Sequence, residues 1–422
     1  MLSRWMHPDA GLLLVARVLR NFSYGYLVVV VGIYLDQLGL TPIEVGAVLT
    51  ASAAGSAALT IGWSLLADRI GRRRSIRVLS LLMVAGGLTF VITSDPWLLA
   101  LAAFAGSLSV AGTDTGTFVT VDQSMLPQVS ADHRRTSTFA LQNMFATLAV
   151  AVGSLAAGAV PLLARIGLQG PDAYRPLFVL FAIVGLASFS LFLRLSPAVE
   201  LVPTTVRPSG SRLGLGGSSG LIGLLVALNV IDSLAGGLMV QSIVAYWFYL
   251  VWRLDASTLA LLFFWMNVLS ALSMLAAGAI ARRIGLFNTM LLTHIPQGVF
   301  GVLMPFAPTA WLAMAFWLVR NTIGFAYFPV RLSYVMGIVP PAERSAAAGY
   351  TTVARNVAGM VTPALAGLAF SLGLLGLPFI ISGLMKLSFD ALSYATLRNK
   401  RPPEERIAIE EIAAIEGASG SE

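Results

Sequence analysis

The sequence predicts an all-α membrane protein whose twelve transmembrane helices form two six-helix, pseudo-symmetric halves. Three observations carry that expectation. Of the 422 residues, 57% are hydrophobic and 11% charged. The mean hydropathy is +0.82, and the apolar residues fall in runs long enough to cross a bilayer. Basic residues gather in alternate loops, as orientation in a membrane requires. Finally, Ala281-Arg-Arg-Ile-Gly285 echoes Ala67-Asp-Arg-Ile-Gly71 at an offset of 214 residues, about half the chain. The echo follows the eighth apolar run as its counterpart follows the second, which marks parallel repeats.

The first half, residues 1–195, holds spans at 11–34, 43–66, 76–93, 97–121, 137–163 and 175–194. Span one continues to Tyr34, contains Arg17 and Arg20 and lacks a cleavage site, so it reads as a membrane helix and not a removable signal. A connector at 196–220, rich in Pro, Gly and Ser, reads as unstructured. The second half, 221–397, holds spans at 221–249, 256–280, 287–306, 310–336, 346–371 and 374–396. A tail at 398–422 closes the chain as a short surface helix or an irregular segment. With both termini cytoplasmic, the outer loops hold only Arg165, Arg175 and Arg253, and all other loop cations lie inside. Trp247, Trp252, Trp311 and Tyr246 near span ends read as interfacial anchors.

Between spans two and three runs Gly62-Trp-Ser-Leu-Leu-Ala-Asp68-Arg69-Ile-Gly71-Arg72-Arg73-Arg74. Gly71 permits a tight reversal, the arginines hold the loop at the cytoplasmic surface, and Asp68 can meet a helix N-terminus. This loop resembles the signature of the major facilitator superfamily. In the second copy Arg282 replaces Asp68, so the turn is kept and the carboxylate lost. The resemblance, which covers nearly the whole chain, implies a substrate cavity between the halves, alternately open to either side and lined by helices one, four, seven and ten. Leu318-Val-Arg320-Asn321-Thr-Ile-Gly324 also resembles an arginine-centred pattern that the family often places in helix four. Here it stands in span ten, and span four has no arginine, a departure from the proton-coupled drug exporters. Gly153, Gly158 and Pro161 in span five loosely resemble the antiporters' Gly-Pro motif, and small residues also serve close helix packing.

An ionisable side chain near mid-bilayer costs about 2.5–3.5 kcal/mol on insertion scales, so each needs a partner or a task. Span one places Arg17, Arg20 and Tyr24 on one face, and span four does the same with Asp114, Phe118 and Asp122. Span seven carries Asn229 and Asp232, span ten Arg320, Tyr327 and Arg331, span eleven Arg355, and span twelve Lys386 and Asp390. Asp114 and Asp232 are the candidate proton carriers, or else permanent partners of Arg20 or Arg320. Arg20, Tyr24, Asn229, Arg320, Tyr327 and Arg355 are the candidate cavity residues. The resemblance implies that Asp122, at the cytoplasmic end of span four, pairs with the Arg72–Arg74 loop as a cytoplasmic gate, together with Gly62, Asp68, Arg69, Gly71 and Arg73. Lys386 and Asp390, one turn apart, are expected to pair with each other, and Arg17 to snorkel to headgroups.

The chain has no cysteine and only His7, His133 and His294, which removes disulfides and thiolate sites and makes a metal centre unexpected. Gly214-Leu-Gly-Gly-Ser-Ser-Gly220 lacks the lysine of an ATP-binding loop and reads as linker. The net charge of +7 belongs to membrane loops, so no nucleic acid is expected. No catalytic arrangement and no cofactor are expected. The chain thus reads as a monomeric secondary transporter of a small organic solute in a prokaryotic cell membrane, by alternating access and most simply as a proton-coupled efflux antiporter. The alternatives are a proton-coupled symporter taking up an anionic solute, motivated by the excess of buried arginines, and a transporter-like sensor without flux.

Overall fold

The structure is a computed structural model that describes residues 7–106, 108–112, 114, 116–129, 135–200, 218–340 and 343–400. Most of the connector and of the tail therefore lies outside the described residues. The first six spans comprise α1 (Pro8–Gln37), α2 (Pro42–Ile70), α3 (Arg72–Ile92), α4 (Pro96–Ala105) with α5 (Thr117–Met125), α6 (Arg135–Ala156) with α7 (Ala159–Arg165), and α8 (Arg175–Leu193). The second six comprise α9 (Ser219–Leu238) with α10 (Gln241–Trp252), α11 (Ala256–Ile284), α12 (Leu286–Leu303), α13 (Ala310–Phe325) with α14 (Tyr327–Ile338), α15 (Arg344–Met360) with α16 (Thr362–Ser371), and α17 (Leu377–Leu397). Among the described residues, nine of these spans are long and apolar enough to cross a membrane on hydropathy alone. The other three are the broken 96–125, the 310–338 span with Arg320 and Arg331, and the 377–397 span with Lys386 and Asp390.

Five spans expected as continuous helices are interrupted. The largest break is in span four, where Gly106, Gly112 (φ +75°) and Gly116 stand in a stretch of poor helix formers. Asp114 consequently lies in non-helical chain, and only Phe118 and Asp122 share a helix face. Pro363 follows the break in span eleven, as expected for a residue that removes a backbone donor. The connector also begins more ordered than expected, with a 3-10 turn at Pro197–Val199 and Val199 fully buried.

The two copies of the pentapeptide form the same turn. Gly71 and Gly285 have φ of +100° and +83°. Each donates its N–H four residues back, to Ala67 at 3.0 Å and Ala281 at 2.9 Å. The next helix then sends a hydroxyl back to the glycine carbonyl, from Ser75 at 2.8 Å and Thr289 at 2.7 Å. The repeat thus extends to a hydroxyl position that the pentapeptide did not include.

Packing divides the chain into two compact units. One comprises residues 1–206, 237–268 and 359–378; the other comprises 207–236, 269–358 and 379–422. In the first unit α1 is the central helix, and a Cβ at Gly153 of α6 would stand 2.0 Å from the Phe22 carbonyl oxygen. Span five therefore uses its small residues for close helix contact. Tyr246 and Trp247, expected at the interface, are instead about 1% exposed. Tyr246 packs on Gly32 and donates to Asp36 at 2.9 Å. Of the expected anchors, Trp311 is exposed. In the second unit, Tyr334 and Phe287 anchor a core with Leu225, Met290 and Phe389, and Ser382 ties α17 to the Ala235 carbonyl at 2.6 Å.

Candidate functional site

At the Gly71 turn, the carboxylate of Glu200 accepts the Arg72 N–H at 2.8 Å and the Arg73 N–H at 3.0 Å. These N–H groups open α3 and have no acceptor within the helix, a position where a negative charge is favoured. The Arg72 guanidinium donates to the Ser124 carbonyl at 2.5 Å. Arg69 is exposed, Gly62 has open space around it, and the side chain of Asp68 lies outside the described residues. The expected pairing of this loop with Asp122 is not formed.

Asp122 is drawn to Arg20 instead. Arg20 is fully buried and donates from Nε and Nη2 to Asp114 Oδ2 at 3.2 and 3.0 Å, and from Nη2 to Asp122 Oδ2 at 2.5 Å. Its guanidinium carbon stands 4.3 Å from the centre of the Phe118 ring. The arginine thus reunites two carboxylates that the break in span four had separated. Asn21 accepts the Asp114 N–H at 3.1 Å and fixes that loop. Arg20 Nη1 and Asp122 Oδ1 are buried without partners. One guanidinium thus serves two carboxylates. Tyr24 is buried beside it, against Phe181. Arg17 does not snorkel: it donates to Gln142 at 3.0 Å and Asn143 at 2.9 Å, because α6 offers amide acceptors within the bundle.

The second unit holds a larger network. Asp232 Oδ1 lies 3.0 Å from Lys386 Nζ and 3.1 Å from His294 Nε2. Its Oδ2 accepts from Arg331 at 3.4 Å and, weakly, from Tyr327 at 3.5 Å. The other ring nitrogen of His294, Nδ1, stands 2.7 Å from Asp390 Oδ1. Lys386 therefore reaches across to Asp232 and His294 and leaves Asp390 to the histidine, contrary to the expected pairing along one helix. Helix geometry explains the choice: the Lys386 and Asp390 side chains stack one turn apart, whereas Asp232 faces the ammonium from across the bundle. Arg320 does not pair with Asp232 either. It is 5% exposed, stacks on Trp317 at 5.2 Å, and among the described residues has no hydrogen-bond or carboxylate partner.

Beside this network opens a pocket of about 400 Å³ lined by Asn229, Arg331, Arg355, Thr351, Met274 and Phe328, among others. Asn229 accepts a hydrogen bond from Arg331, and Arg355 is exposed. Of the candidate residues, Asp232 and Tyr327 belong to the network, and Asn229 and Arg355 line the pocket; Arg331, which was not among the candidate cavity residues, joins the two. Sequence reasoning missed His294. The available signal was an ionisable group inside an apolar span, two residues before Pro296. Among the described residues no cluster of His, Asp and Glu is arranged to hold a metal ion.

Comparison with known proteins fits this architecture. The chain is 25% identical over 417 residues to an uncharacterized membrane protein, YJR124C, of Saccharomyces cerevisiae (strain ATCC 204508 / S288c), covering 91% of this chain and 93% of that one. Its fold is similar to a mutant form of the nucleoside transporter NupG, with a TM-score of 0.71 at 12% identity, covering 92% and 99% of the two chains. A bacterial homolog of the human lysosomal transporter Spinster, inward-facing and unoccupied, gives 0.70 at 15% identity over 94% and 98%. A D-xylose-proton symporter gives 0.66 at 16% identity over 90% and 98%. At these identities the likeness is one of fold. The family model of the Major Facilitator Superfamily matches residues 13–363, and the chain belongs to that superfamily of membrane transporters.

Proposed function

We propose that this transporter is a proton-coupled symporter of a small organic anion, working by alternating access in the cell membrane with both termini cytoplasmic. The observation that carries the reading is the charge balance around the pocket. Arg320, Arg331, Arg355 and Lys386 stand in the spans of the second unit with only Asp232 and Asp390 to offset them among the described residues. Arg331 is held by Asn229 and Asp232 and also lines the pocket. An anion that takes Arg331 from Asp232 removes a cation from that carboxylate and so favours its side of the network taking up a proton. Solute and proton then strengthen each other's binding by the same factor. Substrate identity follows only as a class: small, anionic and able to accept paired hydrogen bonds from guanidinium groups.

The efflux antiporter is the second reading. It needs a solute that competes with the proton for one carboxylate, and the partial exposure of the Asp232 side chain, 14%, favours it. A ligand-stabilisation screen on detergent-solubilised protein at pH 6 and pH 8 separates the two, because binding stabilises the folded state. Anions that stabilise more strongly at pH 6 support symport. Cations that stabilise more strongly at pH 8 replace it with antiport. Reconstituted flux under an imposed pH gradient then gives the sign of coupling.

A further inference from the structure

His294 is buried among more hydrogen-bonding partners than a neutral imidazole can serve. A neutral ring has one N–H and one lone pair. If Nδ1–H donates to Asp390, then Nε2 presents a lone pair to Asp232 Oδ1 at 3.1 Å, and two acceptors face each other. If instead Nε2–H donates to Asp232, then Nδ1 presents a lone pair to Asp390 at 2.7 Å, and that N–H also confronts the Lys386 ammonium at 3.2 Å. The second tautomer fails, and the first is satisfied only through Lys386, whose ammonium donates to Nε2 at 3.2 Å and to Asp232 at 3.0 Å. One added proton gives a second satisfied arrangement once Lys386 turns from Nε2 to Asp232: an imidazolium then donates from Nδ1 to Asp390 and from Nε2 to Asp232.

We propose that His294 is the proton-binding group of this transporter, bridging Asp232 and Asp390 when protonated, with Lys386 as its competitor for Nε2. The proposal rests on the proton-coupled reading above and names the atom that would carry the proton. Lys386, Asp232 and His294 form a closed triangle with sides of 3.0, 3.1 and 3.2 Å. In the unloaded state Lys386 donates to both Nε2 and Asp232, which screens the acceptor pair. On loading, a proton from water bonds to Nε2, the ring gains one positive charge, and Lys386 withdraws to Asp232 alone. The proton leaves a hydronium ion, whose O–H bond breaks as the Nε2–H bond forms, and no other covalent bond changes. The groups facing the ring are Asp232 of α9, Tyr327 and Arg331 of α14, and Lys386 and Asp390 of α17. Arg320 of α13 and Arg355 of α15 act on Asp232 at longer range. With Asp232, Asp390, Lys386 and Arg331 charged, the unloaded cluster is neutral and the loaded cluster carries +1. An anion held at Arg331 cancels that charge, which links the proton to the solute site.

The chain has only two other histidines, His7 and His133, so imidazole nitrogen NMR can isolate His294. The full-length protein, ¹⁵N-labelled at histidine and purified in detergent, is followed from pH 5 to pH 9. His294→Gln identifies the resonance by its loss. If that variant does not fold, the His7→Gln, His133→Gln double variant leaves the His294 signal alone. The expected result is a doubly protonated ring at low pH that loses the Nε2 proton as pH rises. In Lys386→Met the same loss should need at least about tenfold lower proton concentration, since the competing cation is gone. A single tautomer held across the whole range, or a transition unmoved in Lys386→Met, overturns the proposal. Coupled flux with a silent His294 sinks this assignment and returns the proton to Asp114. Uncoupled flux with a titrating His294 sinks the symport reading and leaves the site.

Discussion

Lys386 Nζ lies 3.0 Å from Asp232 Oδ1, and this contact joins α17 to α9 in the interior of the second unit. The same ammonium also reaches His294 of α12, while Asp232 holds Arg331 of α14. Four helices therefore share one set of charges. A change in ionisation at any member alters the electrostatic fit of the rest, which is what coupling between a proton and a solute requires.

Removing one member should expose how much of that set is mutual. In Asp232→Asn, Lys386 loses its carboxylate and Arg331 keeps only Asn229. Breaking a buried pair typically costs about 3–5 kcal/mol. The Asp232→Asn, Lys386→Met double variant should recover a large part of the loss, because no lone ammonium is left. Thermal unfolding of the four proteins in detergent gives the cycle, and additive losses would disprove the pairing.

Arg20 should not be replaceable by lysine. Its Nε and Nη2 address Asp114, Nη2 also addresses Asp122, and the guanidinium stacks over Phe118. An ammonium cannot reproduce that planar fork. We expect Arg20→Lys to lose about 1–3 kcal/mol, the cost of unsatisfied buried partners. Asp122→Asn should restore part of it by removing one of the two carboxylates. Equal stability of Arg20→Lys and wild type in the same unfolding assay would contradict the triad.

Much of this was legible from residue type and spacing. The twelve spans, the turn at Gly71 and its echo at Gly285 follow from hydropathy and glycine, which act locally. The partners of buried charges do not. Span four reads as a continuous helix until its glycines are set against its packing, and Asp114 then leaves the face it was expected to share with Asp122. Lys386 and Asp390 look like a pair because they are one turn apart, yet both find better geometry across helices. His294 carried no pattern in the sequence, since its two carboxylates come from residues 62 positions before it and 96 after it. Glu200 was invisible for the same reason: its role as the cap of α3 depends on where the connector folds back.

The pocket arginines should separate into two kinds. Arg355 is exposed, so Arg355→Gln should leave unfolding temperature unchanged and weaken binding of a stabilising anion. One charge-assisted hydrogen bond is worth about 1.5–3 kcal/mol, or roughly 10- to 100-fold in affinity. Arg331→Gln should lose both affinity and stability, because Arg331 also supports Asp232 and Asn229. Isothermal titration of the two variants checks this, and undiminished anion binding in both would remove the pocket from the solute path.

Topology has a direct test. Reporter fusions after Ser209 and after Arg406 should both report a cytoplasmic location, given the concentration of arginines in the loops of that face. An external signal from either fusion is incompatible with the proposed orientation.

At its end away from the Gly71 turn, α2 is closely packed. There α2 meets α16 with backbones in contact: a Cβ at Gly46 would stand 2.8 Å from both Gly367 Cα and the Pro363 carbonyl oxygen. One turn along, Thr50 accepts the Ala364 N–H at 2.7 Å. Nothing flexible stands in the way of an added side chain, so the helices must part to admit one. Overpacking of this kind costs about 1–3 kcal/mol, and that cost falls only on the state in which α2 and α16 touch. An arrangement in which they separate gains population by the same amount, roughly 5- to 150-fold. The chain has no cysteine, so a single Thr50→Cys reporter needs no altered background. Maleimide should modify it about tenfold faster in Gly46→Val than with Gly46 intact, and Gly367→Ala should act in the same direction. If both leave the rate unchanged while the protein remains folded, the α2–α16 contact is a fixed joint and not a closure that opens during transport.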